Sequence, residues 1–344
     1  MQQVLITSDG QIVLREVAKP ALIPGHVLVR AHYSSISTGT EVSLIRHRRA
    51  NPGGEDAPSG YSLAGEVVEV GEGVKGITVG DCVSCGGYNI AVHAEFVLVP
   101  VNFCVVLSAG VDLRTTCFST IAAISLQAVR LAQISLGEIV VVIGTGIIGQ
   151  LAAILARLSG ARVVVIGHQN QMRLDVAKGQ GAELAFLSST NDPVEEINDF
   201  TAGVGADAVL HCGNVEAAES LEQALNMTRE KGTVVSVGSM PIEMSRGPLF
   251  RKELNFVVSR STGPGRYDPN YEREGIDYPI PYVRWTGRRN QAECGRLIAS
   301  GAIDVAILIT HEFPFASAPE ALELVTTRGS ETIGVVLKYA PAEI

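Results

Sequence analysis

The chain has 344 residues, 46% hydrophobic and 18% charged, which is enough for two globular domains with sizeable cores and too apolar for disorder. Its net charge of −9 argues against nucleic acid or an anionic membrane as a partner. No apolar run reaches bilayer length and no basic-then-apolar leader is visible, so a cytoplasmic location is expected, with Cys82, Cys85, Cys104, Cys117, Cys212 and Cys294 as free thiols.

Residues 1–100 alternate like strands. "HVLVRAHYS", "LAGEVVEVGEGV" and "AEFVLVP" are β-branched runs broken by Gly and Pro, the pattern of a β-rich, barrel-like unit. "IRHRRA" at 45–50 reads as a solvated loop. From about 120 the texture changes. "STIAAISLQAVRLAQ" has helical periodicity, and "IVVVIG", "RVVVIG", "DAVLHCG" and "TVVSVG" follow at spacings that leave room for a helix between each pair. That pattern predicts a doubly wound parallel sheet. "LNFVVSRS" (254–261) reads as its sixth strand. A segment rich in Tyr, Pro and charge occupies 263–290. The chain then reads as a helix at "QAECGRLIASG", a strand at "VAILIT", a helix at "APEALELVTT" and a strand at "ETIGVVLKY". The expected division is a β-rich domain over 1–115, completed by 289–344, and a doubly wound α/β domain over 116–288 that carries the tyrosine-rich segment at 263–288.

"GTGIIG" directly follows an apolar strand and opens the helix "QLAAILARL", with a second strand one helix later. Gly144, Gly146 and Gly149 therefore read as a dinucleotide turn, with Thr145, Ile147 and Ile148 between them. The first glycine permits the tight turn, the second lets the backbone approach a pyrophosphate, and the third lets helix and strand pack closely. The helix N-terminus then meets the phosphates with N–H groups and a positive dipole end. Cys212, Gly213, Val237 and Gly238, at the ends of two later strands, are expected to line the cofactor. A carboxylate at the end of the second strand would hold both ribose hydroxyls of NAD. His168 stands there instead, with Gln169, Asn170 and Arg173 beside it. These offer donors and positive charge to a 2′-phosphate, so NADP(H) is favoured over NAD(H). The other reading is NAD held through Asn170 or water.

In "GEVVEVGEGVKGITVGDCV", "HAEFVLVP", "GTGIIG" and "KGTVVSVG" the chain resembles, over nearly its whole length, the medium-chain dehydrogenase/reductase superfamily, the zinc alcohol dehydrogenase-like fold. "ISTGTE" (36–41) and "GPGRYDPNYE…DYPIPYVRW" resemble the dehydrogenase half of bacterial bi-domain oxidoreductases. "ISTGTE" also resembles bacteriochlorophyllide dehydrogenases, but the tyrosine-rich segment favours the first group. The resemblance implies a GroES-like β-rich catalytic domain plus a Rossmann domain, an NAD(P)-dependent oxidoreductase, and a homodimer paired through strand 254–260. Zinc members of the superfamily carry a C-G-I-C-G-[TS]-D turn, a G-H-E triplet and a later cysteine or acid. Here Ser37 stands near the cysteine's place and Gly60-Tyr61-Ser62 replaces the triplet. The third place falls near Phe118 to Thr120, where Cys117 alone cannot hold a zinc that needs three protein ligands. The four-cysteine lobe is absent, and Cys82 and Cys85 have no second pair. No zinc is expected.

Without a metal, hydride transfer needs a hydrogen-bond donor at the substrate oxygen. Tyr61 is expected to face the cleft and donate. Ser37, Thr38 and Thr40 could orient the oxygen, and Glu41 could relay a proton. Arg266, Tyr267 and Tyr271, with Asp268, Tyr278 and Arg284, suit a polyhydroxylated or anionic substrate; the other reading of this segment is a surface loop or oligomer contact. His93 reads as structural, and His32 and His211 as core histidines. The expected function is a zinc-independent alcohol–ketone oxidoreductase on a sugar- or cyclitol-like substrate. The alternatives are an alkene reductase and a non-catalytic nucleotide-binding protein.

Overall fold

The computed structural model describes residues 1–213 and 219–340, and every structural statement below concerns these. In chain order the first elements are β1 (Gln2–Ile6), β2 (Ile12–Glu16), β3 (His26–Ile36), α1 (Thr40–Ala50), β4 (Ala57–Pro58), β5 (Ser62–Val70), β6 (Cys82–Gly86), β7 (Phe96–Pro100), β8 (Cys104–Val106), α2 (Leu113–Thr116) and α3 (Ser119–Leu131). There follow β9 (Ile139–Ile143), α4 (Ile147–Leu158), β10 (Arg162–Gly167), α5 (Gln171–Gly179), β11 (Leu184–Leu187), α6 (Pro193–Phe200), β12 (Ala206–His211), α7 (Glu219–Met227), β13 (Thr228–Ser236), α8 (Arg246–Lys252) and β14 (Asn255–Val258). The last are α9 (Pro269–Glu272), α10 (Gly287–Ala299), β15 (Ile309–Pro314), α11 (Ala318–Thr327) and β16 (Gly334–Lys338). Contacts divide the chain into two units, one of Met1–Ala123 with Thr262–Ile344 and one of Ile124–Ser261.

The first unit is built on β3. This strand pairs antiparallel with β5, β7 and β16, so Val27, Leu28 and Val29 are buried on both faces. The larger sheet runs β15-β16-β3-β5-β6-β8, with β7 on β3, and a smaller one runs β2-β1-β4. Between them lies a core of Val4, Ile6, Ile36, Ile45, Leu322 and Leu337, where the Phe315 and Tyr339 rings stack at 4.2 Å. Each such aliphatic side chain contributes roughly 1.5–3 kcal/mol on burial.

The second unit is a parallel sheet in the order β11-β10-β9-β12-β13-β14. A parallel sheet covered on both faces needs continuous apolar strands. "IVVVI" in β9 meets that demand, with Val140, Val141 and Val142 wholly buried. The order turns back on itself between β9 and β12, the switch point where such sheets receive ligands beyond their strand ends.

Three local differences from the sequence pattern have identifiable causes. Residues 45–50 are helical, not a loop: the guanidinium groups of Arg46, Arg48 and Arg49 donate to the carbonyls of Thr326, Ile6 and Gly10, so the charge run fastens α1 to its surroundings. "VAILIT" is a short 3-10 turn over Ala306–Leu308, and its strand starts at Ile309. The tyrosine-rich segment, expected with the Rossmann unit, packs in the first unit instead. There Tyr271 lies edge-on to Phe103, and Asn102 Nδ2 donates to the Tyr271 carbonyl at 2.9 Å.

Candidate active site

The cofactor turn is built from backbone. Gly144 ends β9 at φ +105°, a left-handed conformation that favours glycine, and a Cβ there would sit 2.8 Å from Gly213 N. A Cβ on Gly149 would lie 1.9 Å from Gly144 O, which is how closely α4 approaches its strand. A Cβ on Gly238 would lie 2.1 Å from Gly213 O, so Cys212, Gly213 and Gly238 close the same wall. Gly146 differs: a Cβ there meets nothing within 4 Å. It is the N-cap of α4 and makes no side-chain cap bond, which leaves the first-turn N–H groups open to an acceptor. A tight turn, a close helix and an open N-terminal face fit a pyrophosphate. Thr145 and Ile147 are buried in the turn, Ile148 is half-buried, and Val237 follows β13 beside Gly238.

At the end of β10, His168 is exposed and its Nδ1 lies 3.3 Å from Ser188 Oγ. Gln169 is exposed next to it. Asn170 caps α5, its Oδ1 accepting from Arg173 N at 3.1 Å, so that oxygen is committed to the helix. Arg173 is half-buried and its carbonyl accepts from Gln150 Nε2.

The hydroxyl cluster lies in the first unit, at the turn from β3 into α1 and the start of β5. Tyr61 is 9% exposed, and its OH donates to Ser37 Oγ at 2.9 Å. Ser37 Oγ also accepts from Thr40 N at 3.3 Å. With two donors on its oxygen, the Ser37 hydroxyl keeps its own hydrogen for an incoming acceptor. Burial, assisted by the Glu41 charge, pushes the Tyr61 phenol up to about 12. Thr40 is exposed and Thr38 half-exposed.

Glu41 does not reach Ser37 Oγ. Its carboxylate is buried and accepts from Ser37 N at 2.6 Å, from Ser59 Oγ and from His93 Nε2 at 2.9 Å. Among the described residues no side chain joins its carboxylate to the Ser37 or Tyr61 hydroxyl, and the bonds it makes anchor the turn. His93 Nδ1 faces Ser34 Oγ at 2.8 Å, which faces Tyr339 OH at 3.0 Å. Sequence reasoning reads His93 as structural but does not join it to Glu41, Ser34 and Ser59, because Glu41 and His93 stand 52 positions apart and no local spacing signals the pair. The only local hint is Gly60, at φ +99°, where a Cβ would strike His93 N at 2.7 Å. Ser34–His93–Glu41 has the connectivity of a hydrolytic triad, but Ser34 is fully buried and shared with Tyr339, so no acyl group can reach it.

The tyrosine-rich residues are mostly committed elsewhere. Tyr271 is 2% exposed, stacked on Tyr278, and its OH accepts from Arg288 N, so it is core and not a substrate contact. Arg266 is ion-paired with Glu272, which also takes Tyr267 N. Tyr267 is exposed, at φ +68°, with the Arg266 guanidinium over its ring. Asp268 accepts from Tyr278 OH, and Arg284 lies over Trp285 at 4.0 Å. His211 is wholly buried as expected, whereas His32 keeps 37% of its side chain exposed.

The places of a catalytic zinc's ligands do not fit that ion. Ser37 and Tyr61 offer neutral hydroxyls. Ser62 Oγ donates to Cys117 O at 2.6 Å, and Cys117 Sγ, fully buried, donates to Arg114 O. Burial drives that thiol far above its ordinary range, away from the thiolate a metal needs. The free Cys85 and Cys104 thiols face each other across a strand pair.

A dinucleotide turn at the switch point of a parallel sheet, and a donor cluster in a β-rich companion unit, define a nicotinamide-dependent dehydrogenase of two domains. Comparison with known proteins agrees. Residues 23–109 match the alcohol dehydrogenase GroES-like domain and 148–273 the zinc-binding dehydrogenase family. The sorbitol dehydrogenase of Halalkalibacterium halodurans is 30% identical over 291 residues, 76% of this chain and 83% of that one. The D-guloside 3-dehydrogenase of Escherichia coli strain K12 is 27% identical over 93% of this chain and 95% of its own. A solved structure described as a zinc-binding dehydrogenase from Sinorhizobium meliloti 1021, bound to NADP, superposes with a TM-score of 0.81 at 24% identity, covering 98% of each chain. The chain belongs to the zinc-type medium-chain dehydrogenase/reductase superfamily and is an NAD(P)-dependent dehydrogenase. No helix among the described residues is long and apolar enough to cross a membrane.

Proposed function

We propose that this dehydrogenase works without zinc, prefers NADP(H) to NAD(H), and interconverts an alcohol and a ketone on a sugar- or cyclitol-like substrate. The observation that carries the proposal is the buried Tyr61–Ser37 hydroxyl pair, at positions where the sequence resemblance would put the zinc ligands of metal-bound members. A bound nicotinamide supplies or takes the hydride. Gly144, Thr145, Gly146, Ile147, Ile148 and Gly149 would hold its pyrophosphate by backbone N–H groups, with Cys212, Gly213, Val237 and Gly238 as the opposite wall. His168, Gln169 and Arg173 would receive the 2′-phosphate.

Ser37 Oγ–H donates to the substrate oxygen and polarises it. As that oxygen gains charge it takes the Ser37 proton, and Ser37 takes the Tyr61 proton in turn. An alkoxide is a stronger base than a phenolate, so the transfer runs downhill even from a phenol at about 12. Solvent returns a proton to the Tyr61 phenolate as product leaves; oxidation runs these transfers backward and needs that phenolate first, so it is favoured at high pH. Relatives named for sorbitol and D-guloside support the polyhydroxylated substrate, and the NADP-bound neighbour supports the cofactor.

The test is a panel of sugar alcohols, glycosides, ketones and enones with each cofactor, run on protein whose metal content is measured after dialysis against chelator. NADP-linked turnover of alcohols with far less than one zinc per chain is expected. About one zinc per chain, with activity lost on its removal, overturns zinc independence. Turnover confined to enones points to alkene reduction. Cofactor binding with no turnover points to a non-catalytic protein.

A further inference from the structure

The chain Tyr339–Ser34–His93–Glu41 lies in the first unit and is buried throughout. Its proton count is closed. The Tyr339 hydroxyl meets Ser34 Oγ and no other polar side chain among the described residues. A buried hydroxyl that only accepts would strand its hydrogen, so Tyr339 donates to Ser34. Ser34 then donates to His93 Nδ1, and His93 Nε2–H donates to Glu41 Oε1. Reversing the chain to accommodate an imidazolium would leave the Tyr339 O–H unpaired in the core. The carboxylate at the end accepts three hydrogen bonds. The other titratable groups around the arm are Tyr61, Cys117 and Glu95, and burial keeps the first two protonated.

We propose that His93 is a positioning residue: a one-way donor chain fixes it as a neutral ring protonated at Nε2, which holds Glu41, which in turn pins the Ser37 amide and aims the Ser37–Tyr61 donor pair. The arm does by fixed hydrogen bonds the orienting that a metal would do by coordination. The kinetic part of this proposal rests on the alcohol–ketone function above; the geometric part does not.

Three measurements on the full chain decide it. Nitrogen NMR of labelled histidine at pH 7 should show His93 neutral, with the proton on Nε2. An imidazolium or the Nδ1-protonated tautomer overturns the proposal. The Ser37 amide should be strongly protected from hydrogen exchange, and His93→Leu should remove that protection while the other strands of its sheet keep theirs. Retained protection in folded His93→Leu overturns it. With an active substrate in hand, His93→Leu should lower kcat about 10²-fold at nearly constant KM. His93→Gln, which keeps a donor toward Glu41, should recover most of that loss. Tyr339→Phe keeps the ring stacked on Phe315 and folds if His93→Leu does not; it should lower kcat severalfold. Wild-type kcat in both folded variants makes the arm merely structural. Absence of turnover in the unaltered protein sinks the alcohol–ketone function, and the NMR and exchange results still judge the arm.

Discussion

A phenol raised to about 12 keeps its proton at every pH the enzyme meets, so Tyr61 donates and does not act as a base at rest. Tyr61→Phe leaves Ser37 Oγ with one donor and no proton source behind it. That should lower kcat by about 10²–10⁴-fold, with cofactor affinity unchanged by fluorescence titration, because general acid catalysis contributes that much. No break in the kcat–pH profile below pH 10 should belong to Tyr61. His211 supplies a stability prediction with a definite sign. Desolvation lowers it from 6.5 to about 4, and its Nε2 meets Ser220 Oγ. Its contribution is whole above pH 6.5 and is lost as pH falls toward 4, where the unfolded chain binds the proton first. Urea midpoints at pH 7 and pH 5 should show unaltered protein losing on the order of 2 kcal/mol more than His211→Gln. Parallel losses would mean that His211 does not titrate in this window.

At the scale of elements, what the sequence shows depends on distance along the chain. β9, β10, β12, β13 and the glycine turn are legible because their signals are local: apolar strands at helix spacing, and glycines of which Gly144 and Gly149 meet backbone demands in the structure; the four-residue β11 is too short to stand out. The hydroxyl cluster is half legible. Ser37, Thr40 and Glu41 share one turn, but what Glu41 does depends on Ser59 and His93, which β-pairing brings in from afar. Helix α1 is hidden because its arginines bond to backbone carbonyls of distant segments. The glycine turn permits a paired test. Gly149→Ala puts a methyl 1.9 Å from Gly144 O, and backbone must move. It should destabilise the chain by about 1–3 kcal/mol, read as a lowered urea midpoint, and weaken the cofactor as well. Gly146→Ala meets no protein atom within 4 Å, so stability should hold while cofactor affinity falls. Equal effects from both would refute the assignment of Gly146 to the pyrophosphate. At the end of β10, His168→Asp should shift preference toward NAD(H), since an added carboxylate accepts ribose hydroxyls and repels a 2′-phosphate. Unchanged cofactor ratios would remove His168 from that role.

At the scale of the whole molecule, the second unit ends its sheet on an open edge. β14 pairs with β13 on one side and has no strand on the other. Ser259 N donates to Ser236 O across the ladder. N–H groups alternate along a strand, so Val257 N also points toward β13, while Phe256 N and Val258 N point outward. Val258 is 57% exposed and Phe250, on α8, is 66% exposed. An apolar edge with outward donors invites another strand and needs cover. A second copy meeting it across a two-fold axis supplies the matching acceptors on both sides at once. A homodimer through 254–260 is therefore expected, with light scattering reporting twice the chain mass at micromolar concentration. The alternation also selects the probe. Val257→Pro would remove a donor from the protein's own sheet and confuse dissociation with unfolding. Val258→Pro removes an outward donor and leaves the ladder to β13 intact. It should give a folded monomer with an unchanged circular dichroism spectrum. A monodisperse monomer from the unaltered protein, or a Val258→Pro variant that still dimerises at the same concentration, would place the contact on another surface.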